Sequence, residues 1–247
     1  HRMFGVEVNF IFGLEMLVFI YLIYRLIDSV LKHSNKVRIS HTGLLLFLLI
    51  LSLMMNGRII YALSGGALLI YTYYFNMINQ YGALKLLLLL FTALLLLAVS
   101  TGTFVAGLIS IFLYLLFIIK DAQKISAKIK YIFVVTVLAI VASVPAQIYV
   151  NKNLSYYDYD VMSMLDHGPG RIFNNDLVLA SGILFIPVIL LVILIIYKVI
   201  KKNAILLAAY SLLVPGVVVG LFGHSTLAII IPAVLLLAYN LFIRKQM

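Results

Sequence analysis

Three side chains in this sequence could manage a phosphate leaving group: Arg58, His167 and Arg171. Arg58 stands alone in an apolar run, LSLMMNGRIIYALSGG (51–66), behind Asn56 and Gly57. His167 and Arg171 share the stretch DHGPGRIFNND (166–176), where Gly168, Pro169 and Gly170 signal a fixed turn. Histidine exchanges protons near neutral pH without a shift. Arginine offers a planar fork of donors that matches phosphate. A base and a phosphate binder four residues apart suit chemistry in which a phosphate departs. The competing reading is a solvated loop with ordinary polar residues.

A second group could hold substrate. NLSYYDYD (153–160) sets Tyr156 and Tyr157 beside Asp158 and Asp160. Aromatic faces stack on sugar rings, and carboxylates accept from sugar hydroxyls. An interfacial aromatic belt would have the same composition, and both readings stand. Asn174, Asn175 and Asp176 close the histidine-containing stretch with further hydrogen-bonding groups, and Arg2 and His224 complete the set. Neither His167 nor His224 has a second histidine at helical spacing, and the acids do not cluster. Neither a metal site nor a cofactor is expected. The chain has no cysteine, which excludes disulfides and thiolate ligands.

The elements that must position these groups are membrane spans. The 247 residues are 65% hydrophobic and 11% charged, against roughly 45–50% and about 25% in a soluble domain. Mean hydropathy is +1.18. Segments 84–99, 103–119, 131–148, 177–197, 204–222 and 225–243 are apolar and near the ~20 residues a spanning helix needs. The expected fold is all-α, a polytopic integral membrane bundle of one transmembrane domain. Solid leucine runs exclude a transmembrane barrel, whose strands alternate.

Lysine and arginine concentrate in cytoplasmic loops. Four clusters serve as markers: Arg25 to Arg38, Lys120 to Lys130, Lys198 to Lys202, and Arg244 with Lys245. Placing all four inside gives nine spans: 8–27, 41–56, 59–76, 84–99, 103–119, 131–148, 177–197, 204–222 and 225–243. The breaks at 56–58 and 100–103 and the loops 149–176 and 223–225 then face outside, and 76–85 faces inside. Of the 18 basic residues, 14 lie inside and four outside: Arg2, Arg58, Lys152 and Arg171. The net charge of +10 is thus mostly topogenic, and nucleic acid is not an expected partner. The orientation rule leaves the four outer cations unexplained.

Three further features carry expectations. Glu15 lies inside the first span, where an acid is expensive, and reads as polar glue between helices. Ser64-Gly65-Gly66 lets helices approach closely. Pro145, Pro187, Pro215 and Pro232 fall within spans, where kinks are tolerated. The chain begins at His1 and reads as lacking upstream spans.

Several stretches, in order, resemble the bacterial O-antigen and exopolysaccharide polymerases of the Wzy type, relatives of the O-antigen ligases. They are RMFGVEVN, LMMNGRIIYALSGGALLIYTYY, AVSTGTFVAGLISIFLYLL, MLDHGPGRIFNNDLVLASGILFIPVILLVILIIYKVIKK and GHSTLAIIIPAVLLL. One departure is clear. The ligase-like pattern has His-Asn entering the late span, where this chain reads Asn174-Asn175-Asp176 and its histidine comes earlier.

The resemblance implies a membrane glycosyltransferase of the bacterial cytoplasmic membrane, with its active site facing outside. Its substrate would be an oligosaccharide repeat on undecaprenyl diphosphate. A flippase and a chain-length regulator would be partner proteins. An acceptor hydroxyl would attack the anomeric carbon with inversion, without a metal, as lipid diphosphate leaves. Arg58 and Arg171, with Arg2 third, would stabilise the departing charge, and His167 would take the proton. Transfer to another acceptor, as in a ligase, uses the same donor. Transport or flipping of lipid-linked glycans is the other alternative, and would need a continuous polar path to the inside. A third is a non-enzymatic subunit of a membrane complex.

Overall fold

The computed structural model describes residues 8–35, 43, 46, 48–50, 57–156, 158–159, 203–220 and 228–244. Among them every regular element is a helix. We number the helices α1 (Val8–Asn35), α2 (Gly57–Asn79), α3 (Ala83–Leu97), α4 (Thr101–Asp121), α5 (Ile125–Tyr156), α6 (Ala204–Gly220) and α7 (Ile231–Arg244); a 3-10 turn, Ala228–Ile230, leads into α7.

Local chemistry sets several of the boundaries. Ser100 is extended, and its Oγ accepts from the Thr103 backbone N–H, which caps α4. The Asn203 side chain accepts from the N–H groups of Ile205 and Leu206 and starts α6. The break expected over 76–85 shrinks to residues 80–82, because α2 runs on to Asn79. The expected outer loop, 149–176, begins later than its polar composition suggests. α5 continues to Tyr156, and at 32 residues it is about 48 Å long.

α2 is the hub, touching α1, α3, α4, α6, α7 and the 3-10 turn. Residues 62–70 are all buried, as expected of a helix enclosed on every side. Its small residues make this possible. A Cβ on Gly65 would lie 2.7 Å from the Leu97 side chain, and one on Gly66 would lie 2.6 Å from the Ile229 carbonyl oxygen. The close approach expected of Ser64-Gly65-Gly66 is therefore met, by α3 on one residue and the 3-10 turn on the next.

A buried polar chain ties α2 to α4. The Tyr73 and Tyr114 rings stack with centroids 4.0 Å apart. Asn76 donates to the Tyr114 hydroxyl at 2.9 Å, and that hydroxyl donates to the Tyr73 carbonyl at 2.9 Å. Tyr73 bonds Ser110 at 2.9 Å. An ordinary interhelical bond in a bilayer contributes only ~0.6 kcal/mol, but stranding a buried amide costs about 1–3 kcal/mol. Tyr114→Phe strands the Asn76 amide, so the larger figure applies. The protein should melt several degrees lower in detergent, and an unchanged melting temperature would contradict this pairing.

Among the described residues, two helices are long and apolar enough to cross a membrane: Thr101–Asp121 and Ile125–Ile148. Three apolar helical stretches are shorter, Ala83–Leu97, Ala204–Val219 and Ala228–Ala238. α5 leaves much apolar surface uncovered, with Ile129, Ile132, Phe133, Ile140, Val144 and Ile148 each more than half exposed. A surface of that kind faces lipid or a partner.

Candidate functional site

Chain direction gives the bundle two chemically different ends. α2 and α4 run the same way, and the short connections 80–82 and 122–124 share one end. α1 finishes there too, since His33 Nδ1 lies 3.0 Å from the Tyr74 hydroxyl. This end is rich in lysine. Lys130 bonds the Tyr81 carbonyl at 3.0 Å, Lys85 sits 4.1 Å from the centre of the Tyr81 ring, and Lys32 pairs with Asp28 at 2.8 Å. Burial foremost, with the neighbouring Tyr71, pushes the Tyr81 phenol up to about 12, so it stays neutral at physiological pH.

The opposite end holds the start of α2 and the end of α5. Arg58 is the second residue of α2. Three residues on, the Tyr61 hydroxyl donates to the Glu15 carboxylate of α1. The Phe19 ring packs edge-on against Tyr61 at 4.8 Å. Glu15 thus has a donor, which lowers the cost of an acid inside an apolar helix, and the glue role expected of it is met. The pair was not legible from spacing, because its members lie 46 residues apart.

At the far tip of α5, Tyr156 is the last helical residue and is exposed. Asp158 and Tyr159 follow with φ of 51° and 59°, and the Tyr159 N–H bonds the Leu154 carbonyl at 2.8 Å. This is a left-handed C-terminal cap, a place glycine usually takes. Aspartate tolerates that backbone, whereas tyrosine does so at a cost of roughly 1–2 kcal/mol. The cap holds Asp158 and Tyr159 in solvent beside Tyr156. Tyr156 therefore belongs to a helix rather than to the loop expected over 149–176.

The structure assigns Arg58, Tyr156 and Asp158 to the same end of the bundle. Arg2, Tyr157, Asp160, His167, Arg171, Asn174, Asn175, Asp176 and His224 lie outside the described residues, as does the 177–197 span. Sequence reasoning missed a cavity of about 380 Å³ at the lysine-rich end, lined by Asn76, Gln80, Asp121 and Lys124 among others. The one signal for it was Asn76, which reads as a loop residue yet is fully buried within α2.

The sequence matches no protein-family model, and comparisons with curated proteins and with solved structures find no match.

Proposed function

We propose that the chain is a multi-pass protein of the bacterial cytoplasmic membrane that joins undecaprenyl-diphosphate-linked oligosaccharide repeats into a surface polysaccharide. In this reading the bundle has nine spans, the lysine-rich end faces the cytosol and the Arg58 end faces out. The observation that carries the reading is the separation of charge along the bundle. The described lysines from residue 32 to 130 gather at one end, whereas Arg58 starts α2 at the other. The family resemblance supplies the reaction.

The acceptor hydroxyl oxygen bonds to the anomeric carbon of the donor glycan. The bond from that carbon to the diphosphate oxygen breaks, and its electron pair leaves with undecaprenyl diphosphate. The hydroxyl proton passes to His167. Negative charge grows on the leaving diphosphate, where Arg58 and Arg171 oppose it, with Arg2 in support. Fixed cations in a water-poor cavity are effective because they need no reorganisation as the charge develops. Glu15, held by Tyr61, places a carboxylate near the start of α2 that can fix a guanidinium. Tyr156, Tyr157, Asp158 and Asp160 hold the acceptor glycan, with Asn174, Asn175, Asp176 and His224 lining its approach. A flippase supplies the lipid-linked units, and a chain-length regulator limits the product.

The test is an assay of purified protein with lipid-linked repeat units. A ladder of chain lengths, with release of undecaprenyl diphosphate, is the expected result. Release with a single transfer to another acceptor would make the protein a ligase. No release from any lipid-linked glycan would end the reading.

A further inference from the structure

We propose that the lysine-rich end binds the phosphate of an anionic phospholipid at Lys85 and Lys130, with the acyl chains lying along α3 and α5. Both side chains converge on one residue, Tyr81, in the connection between α2 and α3. Lys130 Nζ donates to the Tyr81 carbonyl at 3.0 Å, and Lys85 Nζ lies 4.1 Å from the centre of the Tyr81 ring. Lys130 Nζ also sits 4.3 Å from the centre of the Tyr131 ring. These contacts hold the two charges in place without neutralising them. A carbonyl uses one of the three donors of an ammonium, and a ring face carries no net charge. Neither lysine forms an ion pair among the described residues, whereas Lys32 pairs with Asp28. Neither α3 nor α5 has an acid in its first turn to supply the missing charge. A topogenic lysine need only reach water, as the exposed Lys124 and Lys128 do. Lys130 is instead half-buried and turned back onto the bundle.

The surface beside the two ammoniums selects a lipid over a free anion. α3 and α5 touch, and both start at this end and run away from it. On α3, Leu84, Leu88, Phe91 and Leu95 recur at helical spacing and are all exposed. On α5, Ile129, Ile132 and Phe133 are exposed within the first three turns. Lys85 and Lys130 therefore each stand at the head of an apolar stripe. An anionic phospholipid has the same layout, with charge at one end and apolar chains running from it. Basic groups between helices on the cytosolic side are suited to such headgroups. An ethanolamine lipid would bring its own ammonium against the two lysines. A free phosphate ester shares the phosphate and lacks the tails, so the stripes favour the lipid. The site rests on a membrane placement with this end at the cytosolic leaflet, and does not depend on the glycan-joining reading.

The test titrates the purified full chain in detergent with dioctanoyl phosphatidylglycerol, dioctanoyl phosphatidylethanolamine and glycerol 3-phosphate, counting bound ligand by native mass spectrometry. The glycerol lipid should fill one site about ten-fold more tightly than the ethanolamine lipid, and more tightly than glycerol 3-phosphate. One basic residue beside an anionic headgroup contributes about five-fold. Lys85→Gln should therefore weaken phosphatidylglycerol about five-fold, and Lys85→Gln with Lys130→Gln should abolish the preference for it. Lys85 is exposed and holds only the Tyr81 ring among the described residues, so the single variant keeps the fold. Lys120→Gln removes an equal charge from the same end and should leave the preference unchanged. Equal affinity for the two lipids, a Lys85→Gln variant that binds as before, or a Lys120→Gln variant that loses as much as Lys85→Gln, overturns the proposal. Glycerol 3-phosphate that binds as tightly as the glycerol lipid also overturns it, and assigns the lysines to a soluble phosphate ester.

Discussion

Arg58→Ala should leave the protein in the membrane and stop polymer formation, so that single lipid-linked repeat units accumulate. One preorganised donor on a developing charge is worth ~10²–10³ in rate. Polymer length multiplies that deficit, since each added unit requires another turnover. Arg58→Lys should recover only part of the activity, because a point charge does not reproduce the planar fork that grips a phosphate. Lys120→Ala is the matched control. It removes a cation of equal charge from the last turn of α4, at the opposite end, and should leave polymer unchanged. Electrophoresis of extracted glycans distinguishes the outcomes. Normal chain length in Arg58→Ala would remove Arg58 from the site, and Arg171→Ala should then be the variant that stops the reaction.

Gly66→Ala should destabilise the protein by about 1–3 kcal/mol, the usual cost of overpacking. Helix propensity favours the alanine by only about 1 kcal/mol. The added Cβ would lie 2.6 Å from the Ile229 carbonyl oxygen, a backbone atom that cannot rotate away. The same 3-10 turn is received on its other side by Gly216 of α6, where a Cβ would come within 2.9 Å of Ile229 and closer still to Ile230. Neither helix can yield alone, because the turn is wedged between them. Gly65→Ala should be milder, since its two closest contacts, at 2.7 Å, are Cδ2 and Cγ of the Leu97 side chain, which can shift, and the nearest backbone atom, the Ala93 carbonyl oxygen, is 3.2 Å away. Gly13→Ala has nothing within 4 Å of the new carbon and should be neutral or slightly stabilising. Melting temperatures of the three variants in one detergent should fall in the order Gly13→Ala, Gly65→Ala, Gly66→Ala. A Gly66→Ala protein that melts with or above Gly13→Ala would mean the turn does not sit against α2.

The sequence was most informative where one residue type has one physical reason for its place. The break expected at 100–103 was legible in kind but falls at 98–100, because Ser100 caps the helix and Thr101 to Thr103 already form its first turn. Ser64-Gly65-Gly66 was legible as a contact surface because nothing larger permits such approach. The end of α5 was not legible. Residues 149–156 are polar, and polarity alone reads as loop, yet these residues carry no proline or glycine to stop a helix. Asn76 failed for the converse reason. An asparagine after an apolar run suggests a helix end, and its real partner, Tyr114, is 38 residues away. The pairings that matter most for chemistry, Glu15 with Tyr61 and Asn76 with Tyr114, join different helices. Their partners depend on how helices dock, which no local pattern encodes.

The most direct test of the account is which side of the membrane each end of the bundle faces. The chain has no cysteine, so single substitutions can be labelled without background. Tyr156→Cys at the tip of α5 and Gln123→Cys between α4 and α5 are exposed positions at opposite ends. In intact cells a membrane-impermeant maleimide should modify Tyr156→Cys, and reach Gln123→Cys only after permeabilisation. The reverse pattern, with position 123 labelled from outside and position 156 protected, would put Arg58 in the cytosol and contradict a glycan-joining site on the outer face.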